Sequence, residues 1–440
     1  MDESPNDLDQ LFKEAAQNAA GLAHVLDPTT AIERGTRRRR FARRRRGALS
    51  GLVVLVAVVV FLVPLPQLHL FGSSGSHGGK DQHQSATSSL ASTASTPTTS
   101  SVTGTGPLGG VIPADFQPGS FTAVSLDEWW MLGSARCLTG SGTCGAIVRT
   151  TDGGSKFAGI PSPPVSSSEV TQLRFANALD GYAFDPELWQ TTNGGASWVK
   201  VATPGPVAEL EAADGETYAL GCDAANCASI ELRRSPVGSL KWQKVSTPVP
   251  LKDGPSLAVN GTNLYVLGGE TGGQRLRPFL LYSDDKAASF VERVDPCTAV
   301  LGGRVTAAAD GSSSIWAACP TGTEAGTWLS NNGGTNWLQE QGGFPNSVQL
   351  AAASSLVALA SSLQDQNGTP PDAMERTTNG GRSYSPVLSV SSFSTVLWVG
   401  FSDPVRAYAL VEEGGSGSTT ARLYESNDAG AAWHRVAVRS

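Results

Sequence analysis

From residue 107 to the C-terminus the apolar residues come in short runs, interrupted every few positions by Gly, Asn, Asp or Pro. In one stretch "VTQLRFAN", "GYAFD", "LWQTTN" and "SWVKVATP" follow one another, each rich in β-branched or aromatic residues and each bounded by turn formers. That pattern predicts four short strands. The same order closes the chain as "STVLWVGF", "RAYALVEE", "ARLYES" and "AAWHRVAV".

Upstream the pattern is different. Residues 7–26 place Leu8, Leu11, Phe12, Ala15, Ala19, Leu22 and Leu26 near one helical face, which predicts a short amphipathic helix. "ALSGLVVLVAVVVFLV", residues 48–63, holds no charge, and its continuation to Phe71 would span ~36 Å as a helix. Residues 72–106 are mostly Ser, Thr and Gly, with little to bury, and read as a flexible tether reaching roughly 30–35 Å.

The strand-rich part repeats a turn. "TTDGGSKF", "TTNGGASW", "SNNGGTNW", "TTNGGRSY" and "SNDAGAAW" start at Thr150, Thr191, Ser330, Thr377 and Ser426, each between the third and fourth strand of a unit. Two worn copies, "SPVGSLKW" and "SDDKAASF", fill the gaps. The closing aromatics (Phe157, Trp198, Trp242, Phe290, Trp337, Tyr384 and Trp433) stand 41, 44, 48, 47, 47 and 49 residues apart. Seven units of this period predict an all-β, seven-bladed propeller of four-stranded blades. In each turn Asp152, Asn193, Asn332, Asn379 or Asp428 is expected to accept backbone N–H bonds about two residues on. Gly154, Gly195, Gly334, Gly381 and Gly430 are expected to supply a positive φ, and the aromatic to pack between sheets.

Charge sets the orientation. The chain of 440 residues carries a formal net charge of −7, but residues 1–46 hold 10 Lys+Arg against 7 Asp+Glu. Eight arginines lie in "RRRRFARRRR", residues 37–46, directly before the apolar run. Basic residues hold their side of a span in the cytoplasm. The expectation is therefore a cytoplasmic segment 1–46, a transmembrane signal anchor 47–71 in the lipid bilayer, a tether 72–106 and an extracytoplasmic propeller 107–440. Residues 47–440 carry 22 basic against 32 acidic residues, which argues against nucleic acid as a partner.

The turn resembles the Asp box, S-x-D-x-G-x-x-W, of bacterial neuraminidase repeats. With "FANALDGYAF" before it, the repeat is similar to photosystem-II assembly-factor-like and sortilin-type propellers over roughly residues 108–440. The resemblance implies the propeller fold and a structural role for the box. Sialidases of this kind use an arginine trio, a Tyr/Glu nucleophile pair and an acid Asp. Their F-R-I-P stretch is absent here, and none of those catalytic residues can be placed.

All six cysteines (Cys137, Cys144, Cys222, Cys227, Cys297 and Cys319) lie on the exported side of the expected anchor. An even count there suggests disulfides, with 15 possible pairings. The strand map favours Cys137–Cys144 and Cys222–Cys227 within second-to-third-strand loops, and Cys297–Cys319 between two blades. All three would brace the face opposite the box turns. No catalytic residue, metal site or cofactor is expected. The only histidine after residue 83 is His434, which reads as a surface strand residue, and the paired Glu412 and Glu413 should point apart along a strand. The sequence therefore leads to a membrane-anchored, non-catalytic binding or scaffold module for a protein or cell-surface glycan. A sialidase-like glycoside hydrolase is the alternative, as is a transmembrane sensor signalling through residues 1–36.

Overall fold

The computed structural model describes residues 109–137, 142–165, 170–272, 275–297, 303–320, 324–345, 349–361, 374–390, 394–415 and 418–440. The segments expected to form the cytoplasmic helix, the membrane anchor and the tether lie outside the described residues. No helix among the described residues is long and apolar enough to cross a membrane.

The strands form seven antiparallel sheets of four, each taken consecutively from the chain. Blades 1 to 7 span residues 117–160, 170–200, 207–244, 253–293, 304–345, 349–388 and 395–436. A lone four-stranded sheet has two apolar faces and would leave one in water. Blade-against-blade packing buries both. Trp198, for example, sits in one cluster with Trp130, Leu132, Ile147 and Ile160 of blade 1 and Leu173 and Phe175 of its own blade. Trp130 and Phe175 stack across this seam with centroids 4.0 Å apart.

First strands form the inner ring, and each has one edge with no strand beside it in its own sheet. Side chains from the preceding blade satisfy several of these edges. The N–H of Leu173 donates to Ser120 Oγ (2.9 Å) and that of Phe175 to Thr122 Oγ1 (3.2 Å). Leu257 N–H donates to Glu209 Oε2 (2.8 Å) and Val305 N–H to Ser256 Oγ (3.2 Å). Buried backbone donors need partners, and these polar residues in otherwise apolar strands provide them.

Among the described residues no strand is exchanged between the chain ends, since blade 1 is wholly N-terminal and blade 7 wholly C-terminal. Closure rests on packing. Phe121, Trp129, Met131, Val148 and Phe157 of blade 1 share a cluster with Tyr408, Leu410 and Leu423 of blade 7. Both chain ends add backbone bonds at the outer strand of blade 1. Gly110 pairs with Gly159 in both directions (2.9 and 2.8 Å), and Phe157 N–H donates to the carbonyl of Arg439 (2.8 Å).

Candidate functional site

The two ends of the ring are built differently. One face collects the box turns and the loops between first and second strands; the other collects the second-to-third-strand hairpins and the connections from blade to blade.

On the box face each of the five well-formed turns is a closed hydrogen-bond circuit. In blade 2 the Thr191 hydroxyl donates to Asn193 Oδ1 (2.9 Å) and accepts from Gly195 N–H (3.0 Å). Asn193 Oδ1 also accepts from Ser197 N–H (2.9 Å). The same bonds recur with Thr150 and Asp152, Ser330 and Asn332, Thr377 and Asn379, and Ser426 and Asp428. Two corrections to the expected turn follow. The acceptor reaches the N–H four residues on rather than two, and the leading Ser or Thr hydroxyl is an equal member of the circuit. Positive φ extends to both central residues: Gly194 has φ 71° and Gly195 φ 90°, while blade 7 uses Ala429 and Gly430 at 58° and 84°. Even the worn turn of blade 4 keeps the shape, holding Lys286 and Ala287 at 58° and 62°.

Where the box carries a carboxylate, the circuit depresses its pKa. The Lys156 N–H and the Thr150 hydroxyl hold Asp152 below the usual carboxylate range. The Ala432 N–H acts likewise on Asp428, against some burial. For Asp285 the Ser289 hydroxyl and N–H lead. Each closing aromatic directly precedes its blade's fourth strand and faces the preceding blade. Trp198 Nε1 donates to the Pro161 carbonyl (3.0 Å) and Trp337 Nε1 to the Val294 carbonyl (2.8 Å). Tyr384 Oη lies 3.1 Å from Thr327 Oγ1. Trp433 packs at the seam of blades 6 and 7, and Phe157 at the closure.

Arginines that the sequence reading passed over tie one blade to the next box. Arg234 donates to the Lys286 carbonyl, Arg293 to the Gly333 carbonyl and Arg376 to the Ala429 carbonyl (2.8 Å). Arg234 and Arg376 each directly precede the Ser or Thr that opens their own turn, as does Arg149, so the signal was present in the sequence.

The opposite face carries the cystines. Cys137–Cys144 and Cys222–Cys227 close second-to-third-strand hairpins in blades 1 and 3, and Cys297–Cys319 links the exit of blade 4 to the second strand of blade 5. No described cysteine is free. Inside the blade 3 hairpin, Asp223 accepts from the Ser229 hydroxyl (2.6 Å) and N–H (3.1 Å), which lowers its pKa. Beside it, Glu231 is bound by Lys244 (2.6 Å) and Arg233 (2.8 Å), whose charges overcome its burial and lower its pKa. In the blade 4 exit, Asp295 is only 8% exposed, and its Oδ2 has no hydrogen-bond partner. Burial pushes its pKa up to about 6, opposed only by the N–H of Cys297. In the inner ring Arg174 pairs with Glu211 (2.6 Å), whose pKa burial raises in spite of that cation.

Two residue sets bear on catalysis. Tyr424 Oη donates to Glu413 Oε1 across neighbouring strands of blade 7, and burial, with Glu413 behind it, pushes the phenol up to about 12. The phenol is therefore protonated at neutral pH, with its proton directed at the carboxylate. His434 is on the outer strand of blade 7, with Nε2 3.1 Å from the buried Glu425. Among the described residues no group of three or more His, Cys, Asp or Glu could hold a metal ion.

No family model matches the chain. No curated protein matches it. Among solved structures it is similar to "YCF48 bound to D1 peptide" (15% identity, 72% of this chain and 95% of that one, TM-score 0.48). YCF48 from Cyanidioschyzon merolae aligns at 14% identity over 72% of this chain and 97% of that one, with TM-score 0.48. The propeller domain of the Trilobed protease from Pyrococcus furiosus, described as having an open velcro topology, aligns at 8% identity over 73% and 98%, with TM-score 0.50. At such identities the likeness is one of fold, and the chain is a seven-bladed β-propeller with four-stranded blades.

Proposed function

We propose that this propeller is a non-catalytic binding and scaffold module that takes a protein partner on its disulfide face. In this reading residues 47–71 anchor it in a membrane, with the propeller on the extracytoplasmic side. The observation that carries the proposal is the placement of all three disulfides on one face, in loops that otherwise differ in length and sequence. A covalent tie that holds a loop in one shape before binding removes part of the ordering entropy that association would otherwise cost. The nature of the exposed apolar groups favours a protein over a glycan. Sugar rings stack on aromatic faces, and the large apolar residues exposed among those described are all Leu or Val.

The test uses the full chain in its own membrane. Added protease should release a fragment beginning within residues 72–106 from intact cells; a propeller protected until lysis would reverse the topology. Cross-linking from the blade 3 hairpin should then yield one defined adduct, lost in the Cys222→Ser/Cys227→Ser variant at a temperature where that variant is still fully folded. An adduct that survives loss of the disulfide would overturn the choice of face.

A further inference from the structure

On the box face, blades 6, 7, 1 and 2 carry one and the same loop between their first and second strands. Loops 353–357, 402–406, 124–128 and 176–180 each close with an N–H of the first residue on the carbonyl of the fifth, at 2.9, 3.1, 3.1 and 2.9 Å. In each, a side chain at the second position (Ser354, Asp403, Ser125 or Asn177) accepts the N–H groups of the fourth and fifth residues. The carbonyl of the fourth residue is then bound by the first central residue of the same blade's box. Gly380 donates to Leu356, Ala429 to Val405, Gly153 to Asp127 and Gly194 to Leu179. The box turn therefore clamps the tip of its neighbouring loop.

What these clamped tips present is aliphatic. Leu356, Val405, Leu126 and Leu179 are 57%, 53%, 46% and 58% exposed. The other three blades differ. Blade 3 turns through Asp214 and Gly215, blade 4 through Gly261 and Thr262, and blade 5 through a Ser-rich loop. The four aliphatic tips are far apart in sequence, yet they form one unbroken arc because the ring closes between blades 7 and 1. An isolated exposed leucine is ordinary; Leu356, Val405 and Leu179 at the same backbone-clamped fourth position, with Leu126 one residue before the clamped Asp127, make a patch across four consecutive blades.

We propose that this arc is a second interaction surface, for a protein partner that presents aliphatic side chains flanked by Lys or Arg. It lies opposite the disulfide face and stands independently of the reading given for that face. Charge decides the occupant. The four loops carry Asp127, Glu128, Asp180 and Asp403 against a single cation, Arg406, which faces the buried Glu425. Glu128 is taken by Arg149, while Asp127 is exposed with no partner among the described residues. Lys156 and Arg382 on the adjoining box turns leave the tips themselves acidic. An anionic lipid surface would be repelled by those tips, and a glycan would find no aromatic platform there. Basic groups on a partner would meet the carboxylates around the apolar contact.

The test measures binding of synthetic probes to the full chain by fluorescence anisotropy. The probes are an alternating Leu–Lys peptide, an alternating Leu–Glu peptide and vesicles of mixed zwitterionic and anionic lipid. Leu179→Ser/Leu356→Ser is the arc variant, and Thr262→Ser on the blade 4 tip is the control. The Leu–Lys peptide should bind and weaken at least tenfold in the arc variant, with the melting temperature unchanged. The control should bind like the parent, and the Leu–Glu peptide should not bind. Equal binding of both peptides, binding indifferent to the arc variant, binding of no probe, or vesicle binding that the arc variant abolishes would each overturn the proposal.

Discussion

The two faces of the ring solve the same problem by different means. Every loop must satisfy its backbone polar groups and hold one shape. The box face does this with side chains, because the same eight-residue turn can be reused wherever a third strand hands over to a fourth. Thr191, Asn193 and two left-handed glycines suffice in blade 2, and equivalents suffice four more times. The disulfide face has loops of unequal length that share no sequence, so no common circuit exists, and covalent ties stand in for it. Regularity allows non-covalent order; irregularity calls for cystines.

The comparison can be broken at several points. Trp198→Ala should have the largest effect, about 3–5 kcal/mol in denaturant unfolding, because it empties a seam shared by Trp130, Ile160 and Phe175. A loss under 1 kcal/mol would mean that the box aromatics do not hold the blades. Removing Cys297–Cys319 by double serine substitution should cost about 3 kcal/mol, and removing Cys222–Cys227 nearer 2, since the larger loop restrains the unfolded chain more. Equal losses from both would point to strain or packing instead.

Gly195→Val should cost roughly 1–3 kcal/mol from backbone strain alone, with a steric penalty added. The residue sits at φ 90°, and a Cβ there would lie 2.6 Å from Ile160 Cδ1. Thermal melts of Gly195→Ala beside Gly195→Val would separate conformation from contact.

Titration should distinguish the box carboxylates from Asp295 by sign. Asp152, Asp285 and Asp428 have folded pKa values below their unfolded ones. Their contribution is present above about pH 4 and is lost as pH falls through the folded values. Asp295 behaves oppositely, with a folded value raised to about 6, so its contribution is full below about pH 4 and lost as pH rises through 6. Asp295→Asn should therefore flatten the decline in melting temperature between pH 4 and 6 and leave the acid limb untouched. An unchanged profile would mean that Asp295 is solvated or paired in solution.

The smallest effect should come from Asn193→Asp. Asn193 Nδ2 donates to the Ser197 hydroxyl (2.8 Å), whereas Asp285 accepts from the matching Ser289 hydroxyl (2.6 Å). A hydroxyl serves either role by rotating, so the change should lie within 0.5 kcal/mol. If it melts normally yet loses binding on the disulfide face, the assignment of the faces is wrong.

Much of this was legible in the chain itself. The seven aromatics at a period near 46 specify the number of blades and the phase of the strands within each, because a turn with demanding φ values admits few residue types. Cysteine positions relative to that phase place Cys137, Cys144, Cys222, Cys227, Cys297 and Cys319 at one end of the blades. The box circuit was only half legible. The Thr191 and Ser330 hydroxyls had no role of their own in the sequence pattern, because a hydroxyl's partner depends on a backbone shape that the residue names do not show. The Arg-to-box ties were visible as a recurrent Arg before the turn, but their acceptors belong to the next blade. Tertiary structure alone decided the rest. Closure of the ring by packing, the bond from Phe157 to Arg439, and the placing of Leu126 and Leu179 on blades that follow those of Leu356 and Val405 all relate residues hundreds of positions apart. Local periodicity carries no information about such contacts. They arise only when the accumulated rotation of seven packed blades brings the last sheet back against the first.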